Sequence, residues 1–345
     1  MINFSNYGKL FLAIILILIS GFFRAASAFE TKLFSLGFGT GEDKLMYYNS
    51  KIVKEFEEIH PLGPSAFCIK GNTVSVVDTF NNKLKQFDET GRLINSFDMI
   101  EIVKKELSTA EIGLACISAR ANEKGEKEFA ISDSVNGKVY IISSGRLVKT
   151  IASPYKGRFG QAEEVAYDAD GSLAVCDWAE NRIYIFDKNG KAVRELPSQL
   201  NGLYFNSGFL YYIEKSMNGK ISFVKFNVAS NKPETLFELD RPEFRIAKLL
   251  AVNAKGNFIA AFFDDSVQEK LVKSDELKAP MGYFTVAMIS ADGKITASEN
   301  VPVTTASGSQ FFFDAAEDKL YYQNYNAQQA PEGSYTIKKV NFGDK

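Results

Sequence analysis

The chain of 345 residues is 46% hydrophobic and carries a formal net charge of −2, from 40 Lys and Arg against 42 Asp and Glu. That balance leaves no basic surplus for neutralising phosphates, which excludes nucleic acid as the main partner. A single histidine, His60, excludes a multi-histidine zinc site and a histidine-rich proton relay.

The first element is a targeting segment. Lys9 precedes an apolar run that begins at Leu10, and Ala26-Ser27-Ala28 has the small-x-small pattern cut by signal peptidase. The run ends at Phe23, before Arg24. That is about 14 residues at roughly 1.5 Å each, short for the ~30 Å of bilayer hydrocarbon. The pattern predicts a signal peptide over 1–28, removed after Ala28, and one domain over 29–345 secreted to the periplasm or the cell exterior. No later stretch is long enough to cross, so no membrane span is expected after cleavage.

Beyond residue 28 the chain reads as short apolar, aromatic-rich runs separated by Gly, Asn and Asp, with 29 Phe and 15 Tyr against nine Pro. Runs of this kind, with a turn signal about every 8–12 residues, predict an all-β sandwich, barrel or propeller, and internal repeats decide among them. Lys44 to Tyr48 and Lys51 to Phe56 read as two strands, and His60, before Pro61, as a loop residue. Cys68, Cys116 and Cys176 each sit inside an apolar run, where a free thiol behaves as a small hydrophobe.

The repeats are clearest from residue 62 to 197. One copy runs from Ser65 through Val74-Ser75-Val76-Val77-Asp78, Asn82-Lys83-Leu84-Lys85-Gln86-Phe87 and Thr90-Gly91 to Leu93-Ile94-Asn95-Ser96-Phe97. Another runs from Glu164 through Leu173-Ala174-Val175-Cys176-Asp177, Asn181-Arg182-Ile183-Tyr184-Ile185-Phe186 and Asn189-Gly190 to Ala192-Val193-Arg194-Glu195-Leu196. Asp78 to Asn82 and Asp177 to Asn181 are both four residues, and each Asp stands nine before its closing Phe. A copy between them carries Asp133 with Gly137 in place of the Asn. Each copy holds four strands joined by tight turns. Weaker copies open near Leu210, Ala251 and Phe311, the second interrupted by a polar insertion around Gln268 to Lys278.

The Asp ending the second strand and the Asn-Arg/Lys-hydrophobic start of the third resemble the NHL-repeat family over roughly 62–197. The resemblance implies a six-bladed β-propeller of four-stranded antiparallel blades. Six blade starts agree with it. The strand-like runs at 44–48 and 51–56 have no inner strands before them, so the N-terminus is expected to complete the last blade and close the ring, removing exposed edges. Whether it adds one strand or opens a partial seventh blade stays open.

Aligning the copies places candidate residues around a central channel. Glu164 is matched by Ser65, Gly113, Asn201, Leu249 and Gln310, and Glu163 by Pro64, Ile112, Leu200, Lys248 and Ser309. One level thus offers Glu164, Asn201 and Gln310, and the other sets Glu163 against Lys248. Calcium wants six to eight oxygens with several carboxylates, so neither level is a calcium cage, and no metal or other cofactor is expected. Asp78, Asp133 and Asp177 recur blade by blade, as do Asn82 and Asn181. A residue repeated in every blade serves each blade, by accepting N–H groups in the turn after the second strand. Trp178, the one tryptophan, follows such an Asp at a turn tip and is a candidate rim anchor.

These readings predict a secreted, non-catalytic propeller that binds a protein, peptide or glycan. The alternative is a lactonase or lyase using a single metal in the channel. Convergence of at least three carboxylate, amide or His groups on one point would separate the two.

Overall fold

The structure is a computed structural model and describes residues 32–39, 41–47, 63–197, 200–216, 219–273, 282–304, 309–325, 334–340 and 342. After β1 (Lys32–Gly37) come five consecutive four-stranded meanders. Blade 1 is β2 (Ala66–Lys70), β3 (Thr73–Asp78), β4 (Lys83–Asp88) and β5 (Leu93–Asp98). Blade 2 is β6 (Leu114–Ala121), β7 (Lys127–Asp133), β8 (Lys138–Ser143) and β9 (Arg146–Ile151). Blade 3 is β10 (Ala162–Tyr167), β11 (Leu173–Asp177), β12 (Arg182–Phe186) and β13 (Ala192–Pro197). Blade 4 is β14 (Leu200–Asn206), β15 (Phe209–Lys215), β16 (Lys220–Asn227) and β17 (Lys232–Asp240). Blade 5 is β18 (Phe244–Val252), β19 (Phe258–Asp264), β20 (Tyr283–Ile289) and β21 (Ile295–Pro302). Blade 6 is β22 (Phe311–Asp314), β23 (Lys319–Tyr325) and β24 (Ser334–Lys339), completed on its outer edge by β1. The first strand of every blade touches the first strands of both neighbours, closing a ring around one axis.

This is a six-bladed β-propeller, as the repeats predict. One N-terminal strand closes it, and its position corrects the sequence reading. The closing strand is Lys32–Gly37, upstream of the run at 44–48. Residues 44–47 form no regular strand, although Leu45 and Tyr47 are buried. The run at 51–56 and His60 lie outside the described residues, as does the signal segment. The polar insertion in blade 5 opens as a helix, α2 (Asp265–Lys273), and a short helix, α1 (Met99–Val103), follows blade 1.

Why the middle strands are apolar throughout, rather than alternating with polar residues, follows from where their two faces go. Successive side chains on a strand point to opposite faces, and each face of a blade packs on a neighbour. On β11, Val175 joins the core between blades 2 and 3, while Ala174 and Cys176 join the core between blades 3 and 4. On β12, Tyr184 and Phe186 enter the first core, and Ile183 and Ile185 the second. Six such clusters fill the six gaps between blades. Outer strands such as β5 and β13 are only partly covered.

The recurrent Asn has a backbone cause. Asn82 (φ 53°) and Asn181 (φ 51°) lie in the left-handed region, which Asn tolerates better than most residues. Gly137 takes the same conformation (φ 61°), and a Cβ there would lie 2.1 Å from the Phe159 carbonyl oxygen. Blade 2 has no room for the Asn because the segment leading into blade 3 passes directly over this turn, with Phe159 N donating to Gly137 O at 2.7 Å.

The recurrent Asp does more than the turn role expected of it. Asp133 accepts from Val135 N and Asn136 N in its turn, and also from Gly113 N, just before the first strand of the same blade. Asp177 accepts from Gly160 N and Gln161 N, both before β10, at 2.8 Å. A buried carboxylate thus pins the incoming chain to the second strand, satisfying backbone donors that would otherwise be stranded. Asp264 is the blade 5 counterpart; buried, it accepts from Ser266 N and Val267 N. In blade 4 the corresponding Glu214 is exposed. There Lys215 instead reaches the start of β18 in blade 5, donating to the carbonyls of Phe244 and Arg245.

Candidate functional site

The channel is lined by the six first strands, and its residues converge less than the sequence alignment implies. Glu164 on β10 and Lys248 on β18 form an ion pair of 2.6 Å that crosses the axis from blade 3 to blade 5, skipping blade 4. The aligned levels set Glu163, not Glu164, against Lys248. The difference comes from irregular pairing: β10 slips register against β11 between Ala162 and Glu164, and β18 slips against β19 on both sides of Lys248. One extra residue shifts which side chains share a face. Glu163 is buried beside its neighbour and accepts from Gln161 Nε2 at 2.6 Å.

The remaining channel candidates separate. Gln310 lies just before β22, and its amide braces the segment leading into blade 6, donating to Pro302 O (2.6 Å) and accepting from Thr304 N (3.2 Å). Asn201 sits on β14 opposite Ile213; its side chain is outside the described residues. The adjacent Gly202, at φ 80°, is required by a close approach, since a Cβ would lie 2.1 Å from Leu249 O on β18. That approach brings blades 4 and 5 together beside Lys248.

Around the ion pair is a cavity of about 60 Å³ lined by Cys116, Glu164, Lys248 and Ser309, with Leu203, Phe311 and Phe313 among its apolar walls. Sequence reasoning placed Cys116 only in an apolar strand; the register slip between Leu114 and Ile117 on β6 accompanies its place on the channel. Burial alone would depress the Lys248 ammonium, but the Glu164 carboxylate more than offsets this and raises its pKa. Lys248 is therefore a cation, not a neutral amine nucleophile. Burial pushes the Cys116 thiol up to about 11, so it is no thiolate nucleophile at neutral pH. Among the described residues, no three His, Cys, Asp or Glu side chains are grouped to hold a metal ion.

The rim formed by the turns between second and third strands and by the segments leading into first strands has a different character. Trp178 is 47% exposed at its turn tip, and Tyr155, in the segment leading into β10, is 72% exposed. Val135, in a turn, and Ile246, near the start of β18, lie at the same end of the blades, so among the described residues this end holds four of the six exposed large apolar side chains. This surface is braced. Trp178 N donates to Gln161 O at 3.0 Å, Asp177 holds the same segment, and Lys156 pairs with Glu180 at 2.6 Å. The opposite rim is built from polar hairpins in which Asp88, Asn122, Asp187 and Asn253 each accept N–H groups two and four residues on.

The fold defines the protein as a six-bladed β-propeller. No family model matches the chain, and no curated protein sequence matches it. Among solved structures, a luciferin-regenerating enzyme is 12% identical, with 81% of this chain and 92% of that one covered and a TM-score of 0.51. A virginiamycin B lyase from Staphylococcus aureus is 12% identical over 82% of this chain and 85% of that one, with a TM-score of 0.48. BBS1N, solved in complex with ARL6DN, is 11% identical over 81% and 78%, with a TM-score of 0.47. At these identities the likeness concerns the fold.

Proposed function

We propose that this chain is a secreted, NHL-like propeller that acts as a non-catalytic binding module, engaging a protein or peptide segment through the rim that carries Trp178 and Tyr155. The observation that carries this reading is the exposure of two aromatic side chains, Trp178 and Tyr155, on segments whose backbone is held by Asp177 and by the Trp178 N–Gln161 O bond. Large aromatic side chains held in place bind with little loss of conformational freedom, and such residues dominate interface energies. The Lys248–Glu164 pair supports the non-catalytic part of the reading, since it neutralises the channel lysine's chemistry instead of poising it. A protein or peptide is favoured over a glycan because Val135 and Ile246 extend the rim with aliphatic surface, which suits apolar side chains. Fold alone would not license any of this.

Secretion follows from the N-terminal pattern, and N-terminal sequencing of the protein recovered from the periplasm or medium should begin at Phe29. For the binding reading, the mature chain and a Trp178→Ala/Tyr155→Ala variant are immobilised and exposed to cell-envelope protein. The expected result is a partner held by the native chain and lost with the variant. Equal capture by both would move the binding surface elsewhere. Turnover of a lactone by the purified protein would overturn the non-catalytic reading.

A further inference from the structure

A pocket of about 370 Å³ opens between blades 1 and 2, on the opposite rim from Trp178. Its walls are Phe97 of β5, Phe129 of β7 and Ile142 of β8, with Ile94, 47% exposed, beside them. The turn at Gly145, between β8 and β9, closes so tightly on Phe97 that a Cβ there would lie 2.6 Å from the ring. Lys127, the first residue of β7, lines the same pocket and is half-buried. Side chains alternate along a strand, and Phe129 and Ile131 both enter the blade 1–2 core, so Lys127 points to that side as well. We propose that this pocket binds a monocarboxylate joined to an apolar body, with the Lys127 ammonium as its counter-ion. Neither the site nor its ligand depends on the rim reading above.

Lys127 has no counter-ion of its own. Among the described residues it forms no ion pair. Burial lowers its pKa, and the titratable groups acting on it are Cys68 and Lys70 of β2, neither of them a carboxylate. Glu126 also borders the pocket, but it is exposed and accepts from Asn122 Nδ2 at 3.2 Å, on the side of an adjoining groove. A charge in a partly dry site is best met by an opposite charge. One ammonium balances a monoanion and would leave a phosphate dianion half compensated. The buried Gln86 amide accepts from Asn95 Nδ2 at 2.9 Å, holding Asn95 at the pocket with a second N–H to offer an incoming oxygen. The aromatic and aliphatic walls take the apolar part of the ligand. The volume of about 370 Å³ falls within the ~300–1,000 Å³ of small-molecule sites.

The probe is sodium hydrocinnamate, set against its neutral amide and sodium acetate at matched ionic strength, and read by calorimetric titration and thermal unfolding. Saturable binding and a rise in Tm are expected with hydrocinnamate, with the amide about tenfold weaker and acetate without effect. Lys127→Met should weaken hydrocinnamate about tenfold and leave the amide unchanged. Ile94→Glu, at an exposed position, sets a like charge beside the pocket and should also weaken the acid more than the amide. That second variant decides the matter should Lys127→Met fail to fold. Absence of hydrocinnamate binding, equal binding of acid and amide, or acid binding that both variants retain would overturn the proposal and leave the rim reading standing. A free acid and a peptide C-terminus offer the same chemistry, and acetyl-Gly-Phe separates them. Its displacement of hydrocinnamate, where the C-terminal amide fails, would assign the carboxylate to a peptide; displacement by neither assigns it to a free acid.

Discussion

Lys85 Nζ lies 2.9 Å from Asp78 Oδ2, with both side chains sealed from solvent. Asp78 also accepts from Met46 N and Asn81 Nδ2, and Lys85 donates to the carbonyl of Lys44. Lys85 stands seven residues after its Asp, where Tyr140 stands in blade 2 and Tyr184 in blade 3. The ring closes in blade 6, and this blade 1 ion pair secures the segment that follows the closing strand.

The recurrent Asp residues are therefore unequal in energy although equal in position. Asp78→Ala leaves a buried ammonium without its partner and should cost about 3–5 kcal/mol. Asp177→Ala strands backbone donors only and should cost about 1–3 kcal/mol. Urea melts of both variants measure the difference, and Asp78→Ala/Lys85→Met should recover much of the larger loss. Equal losses would mean that Lys85 finds other partners or water.

Gly137→Ala should be among the worst substitutions in the chain. The positive φ disfavours any side chain, and the Cβ would overlap the Phe159 carbonyl. A loss on the order of 3 kcal/mol is expected. At the matching position Asn181→Gly keeps the backbone conformation and should shift stability by less than about 1 kcal/mol. Thermal melts of the two variants check the contrast.

All three cysteines are buried thiols that form no disulfide. Burial pushes the Cys68 thiol up to about 12 and Cys116 up to about 11, from an ordinary value of 9.0. Native protein at pH 8 should resist iodoacetamide, and urea-unfolded protein should react at all three positions, as intact-mass measurement will show. The same shifts act on stability. Between pH 9 and 11 the unfolded thiols lose protons that the folded thiols keep, so stability falls as pH rises through that window. The slope fades as pH falls below 9 and is lost by about pH 7, well under the unfolded value.

Tyr140→Phe removes the hydroxyl that donates to Asp133 at 3.0 Å inside the blade 1–2 core. Asp133 keeps its four other donors, so the loss should be about 1 kcal/mol. A much larger loss in a urea melt would show that this hydroxyl, rather than the backbone donors, governs the carboxylate.

What the sequence determined by itself is the local and periodic part of this protein. Apolar strands at a regular spacing, Asp and Asn four apart, and Gly in place of Asn in one copy specify blades and turns, because those features depend on neighbours within about ten residues. The tertiary structure alone decided three things. The closing strand lies at Lys32–Gly37 and not at 44–48, since pairing with β24 joins opposite ends of the chain and leaves no local mark. Asp264 was hidden by the helix that follows it. Glu164, not Glu163, meets Lys248, because slips in β10 and β18 add residues that an alignment without gaps cannot see. Which side chain of two neighbours faces an axis is set by backbone irregularity, and irregularity in a strand is settled by what packs against it.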